Sequence, residues 1–168
     1  AEAVNEGGGR EVTLFAELSS QFAYLQAMHR HDAELSSRLE AMVAARTAAA
    51  TADRGHIGAG ARVAHVDQVI DVCIGPQARV VGAARLCNGT ILSEDAAPAT
   101  VGSGVVAQDF IFAEGASVED GAVMHTGFVG QGAHLGKQFS AENSLFFANS
   151  EAFHGEACSV FAGPYTVT

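Results

Sequence analysis

Tryptophan is absent from this 168-residue chain, and lysine occurs once, at Lys137. Nine basic residues stand against nineteen acidic ones, a net charge of −10. A surface that negative repels nucleic acid and anionic lipid, and no Lys/Arg run concentrates the few cations, so neither partner is expected. Anionic sugar nucleotides would have to be held by backbone amides and a few local donors. The three cysteines, Cys73, Cys87 and Cys158, are odd in number and contain no CxxC. That excludes a zinc ribbon or a dithiol redox pair and reads as small buried hydrophobes in a reducing, cytoplasmic compartment. No apolar run reaches the roughly 18–20 residues needed to span a bilayer. Only three prolines accompany nineteen glycines, which is not collagen-like and points to tight turns at fixed places. The chain lacks an initial Met and a signal-peptide pattern and stops at "GPYTVT", so a piece of a longer polypeptide is expected.

What is present divides near Arg54-Gly55. Before it, Leu14, Leu18, Phe22, Leu25 and Met28 repeat at spacings of three and four, as do Leu35, Leu39, Met42 and Val43. This predicts two amphipathic helices, about 13–30 and 33–49, within a helical segment spanning 1–54. Asp32 is placed to cap the second. The opening "AEAVNEGGG" is expected to be mobile. The greasy face of each helix needs a cover, most simply the region that follows.

From Gly55 the helical period vanishes. Ile57, Val63, Val69, Ile74, Val80, Leu86 and Ile91 step by six, six and five. "IGAGAR" at Ile57, "IGPQAR" at Ile74, "VGSGVV" at Val101, "VEDGAV" at Val118 and "LGKQFS" at Leu135 align with one another, mostly at 17-residue intervals. Repetition at a fixed interval argues for a solenoid. A coil of three short strands and three corners uses about six residues per face, with an aliphatic pointing inward and a small residue where the backbone bends. Ala61, Ala78, Val105 and Ala122 suit the cramped inward position next to a corner. Residues 55–168 are thus expected to form a mainly β fold, a parallel β-helix of hexapeptides with about six coils spaced about 4.8 Å apart. "LSEDAAPAT", 92–100, interrupts the rhythm by some ten residues and reads as a loop.

"AYLQAMHRHD", "ARLCNGTI", "FVGQGAHLGKQFS", "SLFFANSEAFHGEAC" and "VFAGPYTVT" resemble an uncharacterised bacterial family of left-handed β-helix type, labelled as related to UDP-N-acetylglucosamine pyrophosphorylase. The resemblance covers nearly the whole chain. It alone implies the left-handed winding, which departs from the right-handed crossover rule obeyed in about 98% of cases. It also places the chain beside acyltransferases that use acyl-CoA or acyl-carrier protein, often on sugar nucleotides or amino sugars, as homo-oligomers with a histidine base. A fold does not fix a chemistry, and no nucleotide-binding α/β domain with an early glycine-rich loop is present.

Among seven histidines, His154 is the candidate catalytic base. It sits in "ANSEAFHGEAC", where Phe139, Phe146, Phe147, Phe153, Phe161 and Tyr165 crowd the last third and Asn143, Asn149, Glu151 and Glu156 are interleaved. Apolar walls with a few polar groups describe a ligand site, and a neighbouring Glu would orient the imidazole. Lys137, Gln138, Asn143, Asn149 and Glu156 are the candidate substrate-binding residues. His65 and His125 should point outward, and His134 should sit on a corner. The spacing of His125, His134 and His154 does not suggest a metal site. The alternative to a transferase is a non-catalytic binding or assembly module built on a rigid rod, with the aromatic end as its interface.

Overall fold

The 17-residue interval becomes a coil of backbone. The structure, a computed structural model, describes residues 2–4, 7–9 and 11–168. After β1 (Glu2–Ala3), β2 (Val12–Thr13), α1 (Ser20–Met28) and α2 (Ala33–Ala50), the chain winds into a parallel β-solenoid of about six turns. Its first face carries β3 (Arg62–Ala64), β5 (Arg79–Val81), β7 (Thr100–Val101), β9 (Ser117–Val118), β11 (His134–Leu135) and β13 (Glu151–Ala152). The longer strands β4 (Gln68–Ile74), β6 (Arg85–Ile91), β8 (Val106–Phe112), β10 (Val123–Val129) and β12 (Ser140–Phe146) bend in the middle and cover two faces each. The last coil divides that span between β14 (Glu156–Cys158) and β15 (Phe161–Ala162).

Three apolar columns fill the bore. Val63, Val80, Val101, Val118, Leu135 and Ala152 stack on the first face. Val69, Leu86, Ala107, Met124, Ala141 and Ala157 stack on the second. Ile57, Ile74, Ile91, Phe112, Val129, Phe146 and Ala162 stack on the third. The five segments aligned in the sequence therefore belong to two columns, since Ile57 and Ile74 lie on a different face from Val101, Val118 and Leu135. An aliphatic followed by a small residue opens more than one face, so composition alone does not tell the faces apart.

The interruption is smaller than its sequence suggests. Val80 pairs with Val101 at an interval of 21 instead of 17, so four residues are extra, not ten. The ends of the segment still obey the coil. Leu92 N donates to Phe112 O at 2.7 Å, and Ala99, 1% exposed, receives the hydroxyl oxygen of buried Ser93 on its N–H at 3.0 Å.

Corners need positive φ, and they are made of small polar residues as well as glycine. The corner between second and third faces is Asp71, Asn88, Asp109, Thr126, Asn143 and Ser159, with φ between +48° and +55° at each. Asn and Asp tolerate this region because their short side chains satisfy local backbone groups.

The helical segment departs from expectation at its N-terminal end, while α2 (Ala33–Ala50) falls where the 33–49 helix was expected. Glu2–Ala3 of the supposedly mobile opening pair antiparallel with Val12–Thr13, Ala3 is fully buried, and Val4 N donates to Asn143 O at 2.8 Å. Ala1, Asn5 and Glu6 of that stretch lie outside the described residues. The first helix starts at Ser20, not near Thr13; Ser19 caps it by accepting from Phe22 N at 3.2 Å. Leu14 and Leu18 instead ride on an extended strap across the third face. There Ile111, Phe128, Leu145 and Phe161 form an outward apolar column, and the strap closes over it with Val12 and Leu18, joined by Phe22 and Ala23 of α1. A strap satisfies the same apolar spacing as a helix when the surface beneath it repeats every coil. Asp32 caps α2 as expected, accepting from Leu35 N at 3.0 Å. The α2 face is mostly uncovered, for Val43 is its single buried residue. No helix among the described residues is long and apolar enough to cross a membrane.

Candidate functional site

The solenoid scatters the aromatic crowding of the last third. Phe139 and Phe146 meet edge to face inside the bore, with centroids 5.8 Å apart. Phe147 and Phe161 lie under the strap, 5.1 Å apart. Phe153 stands on the first face and Tyr165 is 75% exposed at a corner.

The polar candidates scatter with it, because three corners separate them. Gln138 (φ +57°) and His154 (φ +46°) share the corner between first and second faces, Asn143 (φ +48°) occupies the next, and Asn149 (φ +56°) the third. Lys137 precedes Gln138, and Glu156 is paired with Ser140 on the second face. His154 is exposed. No hydrogen bond or ion pair links it to Glu151 or Glu156 among the described residues. Asn, Gln and His at these places have a backbone reason to be there, which is the left-handed corner itself. His65 and His125 are exposed, as expected of outward residues.

The side chains that do converge lie on the first face. Register places Arg79, Thr100, Ser117, His134 and Glu151 in one outward column. His134 is therefore on strand β11 and not at a corner. Its Nε2 stands 3.0 Å from Oε1 of Glu119, a close contact without the alignment of a hydrogen bond. Phe153 presents an edge-on ring 5.2 Å from the imidazole, and both His134 and Glu119 are about two-thirds buried, with 29% and 35% side-chain exposure. Thr100 Oγ1 donates to Ser117 Oγ at 3.1 Å in the adjoining coils. A shallow groove of about 280 Å³ runs along the same face, lined by Arg79, Thr100, Ser117, Glu119, Asp120 and Lys137; His134 and Phe153 stand outside it. Asp120 is engaged from below, accepting Ser103 N at 2.7 Å.

Chemically the groove offers two carboxylates, two hydroxyls and two cations, with the His134 imidazole touching Glu119 from outside the lining. Arg79 and Lys137 are the groove's cations, and Glu119 and Asp120 line it beside them. Lys137 is the sequence candidate that falls here; Glu119, Ser117, Thr100 and Arg79 were not singled out. The signal for them was available: subtracting the 17-residue interval from His134 lands on Ser117, and Glu119 lies one inward-outward step further along that strand.

The cysteines depart from expectation in part. All three are free; Cys73 and Cys87 are half-buried, but Cys158 is exposed on the second face. No group of three or more His, Cys, Asp or Glu among the described residues is placed to hold a metal ion.

A family model described as "Domain of unknown function (DUF4954)" matches residues 1–168. The chain belongs to this family. The DUF4954 match agrees with the resemblance to an uncharacterised β-helix family, whereas nothing in the comparisons supports the pyrophosphorylase label. An "Uncharacterized protein" of Treponema pallidum (strain Nichols) is 32% identical over 102 residues, which cover 61% of the DUF4954 chain. The matched part is 14% of that relative's length, so the chain spans a small part of it. No solved structure matches.

Proposed function

We propose that the groove on the first face binds an anionic sugar derivative, a sugar nucleotide or amino sugar of the UDP-N-acetylglucosamine type, and that the protein is a cytoplasmic acyltransferase. The observation that carries this is a groove where the Thr100 and Ser117 hydroxyls meet Arg79 and Lys137, with Glu119 of its lining 3.0 Å from His134. His134 Nδ1 takes the proton from the acceptor amine or hydroxyl as that group attacks the thioester carbonyl of acyl-CoA or acyl-carrier protein. The new C–N or C–O bond forms, the C–S bond breaks, and the thiolate leaves to collect the proton. Glu119 holds the imidazole and steadies its positive charge; Arg79 and Lys137 hold phosphate. His154, the base suggested by the sequence, borders this region through Phe153 and belongs to the same reading as an alternative base.

The test is thioester turnover with a panel of amino sugars and UDP-sugars. His134→Ala should lose about 10²–10⁴-fold, the usual worth of a general base, while His154→Ala should lose less than threefold. Equal rates for wild type and His134→Ala, or a larger loss at His154, would remove His134 from the mechanism. A second reading, an assembly module, rests on apolar side chains left exposed on the solenoid, Ile57 at 59% and Phe153 at 38%. Here sedimentation decides. A mass unchanged by Phe153→Asp would count against an interface at the aromatic end.

A further inference from the structure

The strap covers the third face and the groove occupies the first, but among the described residues nothing closes over the second. Two outward columns climb it. One runs from Arg85 through Val106, Val123 and Ser140 to Glu156; the other runs from Cys87 through Gln108, His125 and Glu142 to Cys158. Strand alternation sets both, since Leu86, Ala107, Met124, Ala141 and Ala157 between them turn into the bore.

Two features of the first column have no use within one chain. Val106 and Val123 are half-buried aliphatics at positions where an open sheet face carries polar residues. Arg85 and Glu156 are opposite charges on one column, and neither side chain has a hydrogen-bond or ion-pair partner among the described residues. Four coil intervals of about 4.8 Å hold them about 19 Å apart, too far to meet.

The midpoint of that span is Val123. A second copy laid antiparallel on this face, about a twofold axis through Val123 along the strand direction, brings Arg85 of each copy onto Glu156 of the other. Val106 then meets Ser140, and Val123 meets Val123. In the second column Gln108 offers its amide to Glu142, His125 meets His125, and Cys87 meets Cys158. No carboxylate faces a carboxylate. A parallel pair would instead set Arg85 over Cys87 and Glu156 over Cys158, with neither charge met.

We propose that the chain forms an isologous antiparallel dimer through its second face, each copy presenting the same self-complementary patch. The overlap is about 19 Å tall and two columns wide, small for an interface, so the dimer is reversible. It uses neither the groove nor Phe153 and stands or falls apart from both readings above; Phe153→Asp should leave its mass unchanged.

Sedimentation of the chain as it stands tests this. From micromolar to hundreds of micromolar its mass should rise from one chain to two and stop there. Arg85→Glu and Glu156→Arg should each weaken the dimer about tenfold, since each turns two attractive contacts into repulsive ones. The two reversals combined should return it to within about threefold of the parent. Arg62→Glu, the same charge change on the first face, should shift it less than twofold. A short bismaleimide should join Cys87 of one copy to Cys158 of the other, because facing sheets lie about 10 Å apart. A single-chain mass throughout, growth beyond two chains, a double reversal that fails to recover, or an Arg62 effect equal to that of Arg85 would each overturn the proposal. Cys158 joined to Cys158, or a dimer that the reagent leaves unlinked, would overturn the antiparallel register. The mass and the cross-link need no variant, so a substituted chain that fails to fold leaves the proposal open to refutation.

Discussion

Thr126 turns a corner at φ +55° in a column that otherwise uses Asp, Asn and Ser. A β-branched residue is a poor occupant of the left-handed region, where the steric cost is about 1–2 kcal/mol. Thr126→Asn should raise stability by up to about 1 kcal/mol, read as a shift in the urea midpoint with unchanged slope. A lower midpoint would mean that the threonine methyl contributes more than the strain costs. Gly89 poses the opposite constraint. A Cβ there would lie 2.2 Å from Cε1 and 2.3 Å from Cζ of Phe110, one coil on. The ring occupies the space the glycine leaves, so size alternates up the bore instead of repeating. Gly89→Ala should cost about 1–3 kcal/mol by overpacking. Adding Phe110→Leu should recover part of that loss, a non-additivity expected of touching residues. Simple additivity of the two costs would show that the contact is not the cause.

The elements before the solenoid differ in how firmly they are held. The strap and α1 bury Leu18 and Ala23 against Phe128, Leu145 and Phe147, whereas α2 buries Val43 alone. A charge under the strap should therefore release it without unwinding the coils. Leu145→Asp should open residues 7–19 to limited proteolysis while the far-ultraviolet spectrum of the strands persists; loss of both together would make strap and solenoid one cooperative unit. For α2, Asp32→Ala should cost the helix about 1 kcal/mol, seen as faster amide exchange confined to residues 33–50. Here the sequence was legible in the cap and in the existence of two helices. It was not legible in where the first one starts. Leu14 and Leu18 continue the helical spacing of Phe22, but the surface they meet recurs with every coil, and a non-helical strap meets that surface equally well. The candidate site was legible only at Lys137. Polar residues at corners look like convergent ligands in one dimension, while a true neighbour such as Ser117 to His134 is a whole coil away along the chain.

At the scale of the molecule, each coil touches mainly the coils above and below, and register carries the stability. The 17-residue interval was readable because an inward aliphatic recurs in every turn. The face each aliphatic occupies was not, because all three faces obey the same steric rule. Two coils depart from the interval: the last, where Ser140 reaches Glu156 in 16 residues, and an earlier one, where Val80 reaches Val101 in 21. The four extra residues correspond to Glu94–Ala97, which close on themselves through an antiparallel bridge and place no side chain in the bore. Removing those four residues would restore the interval used by the coils on either side. A surface insertion closing on itself adds little through loop entropy, since doubling a loop costs only about 0.6 kcal/mol. The shortened chain should fold with the same strand content and a stability within about 1 kcal/mol of the parent, measured by urea unfolding. Ala97 O, which accepts Gly115 N at 2.9 Å, is the one stacking bond lost, and Ser93 O or Pro98 O is left close enough along the chain to replace it. Collapse of the shortened chain would mean that the loop, and not the repeating column, sets the register of the early coils against the late ones.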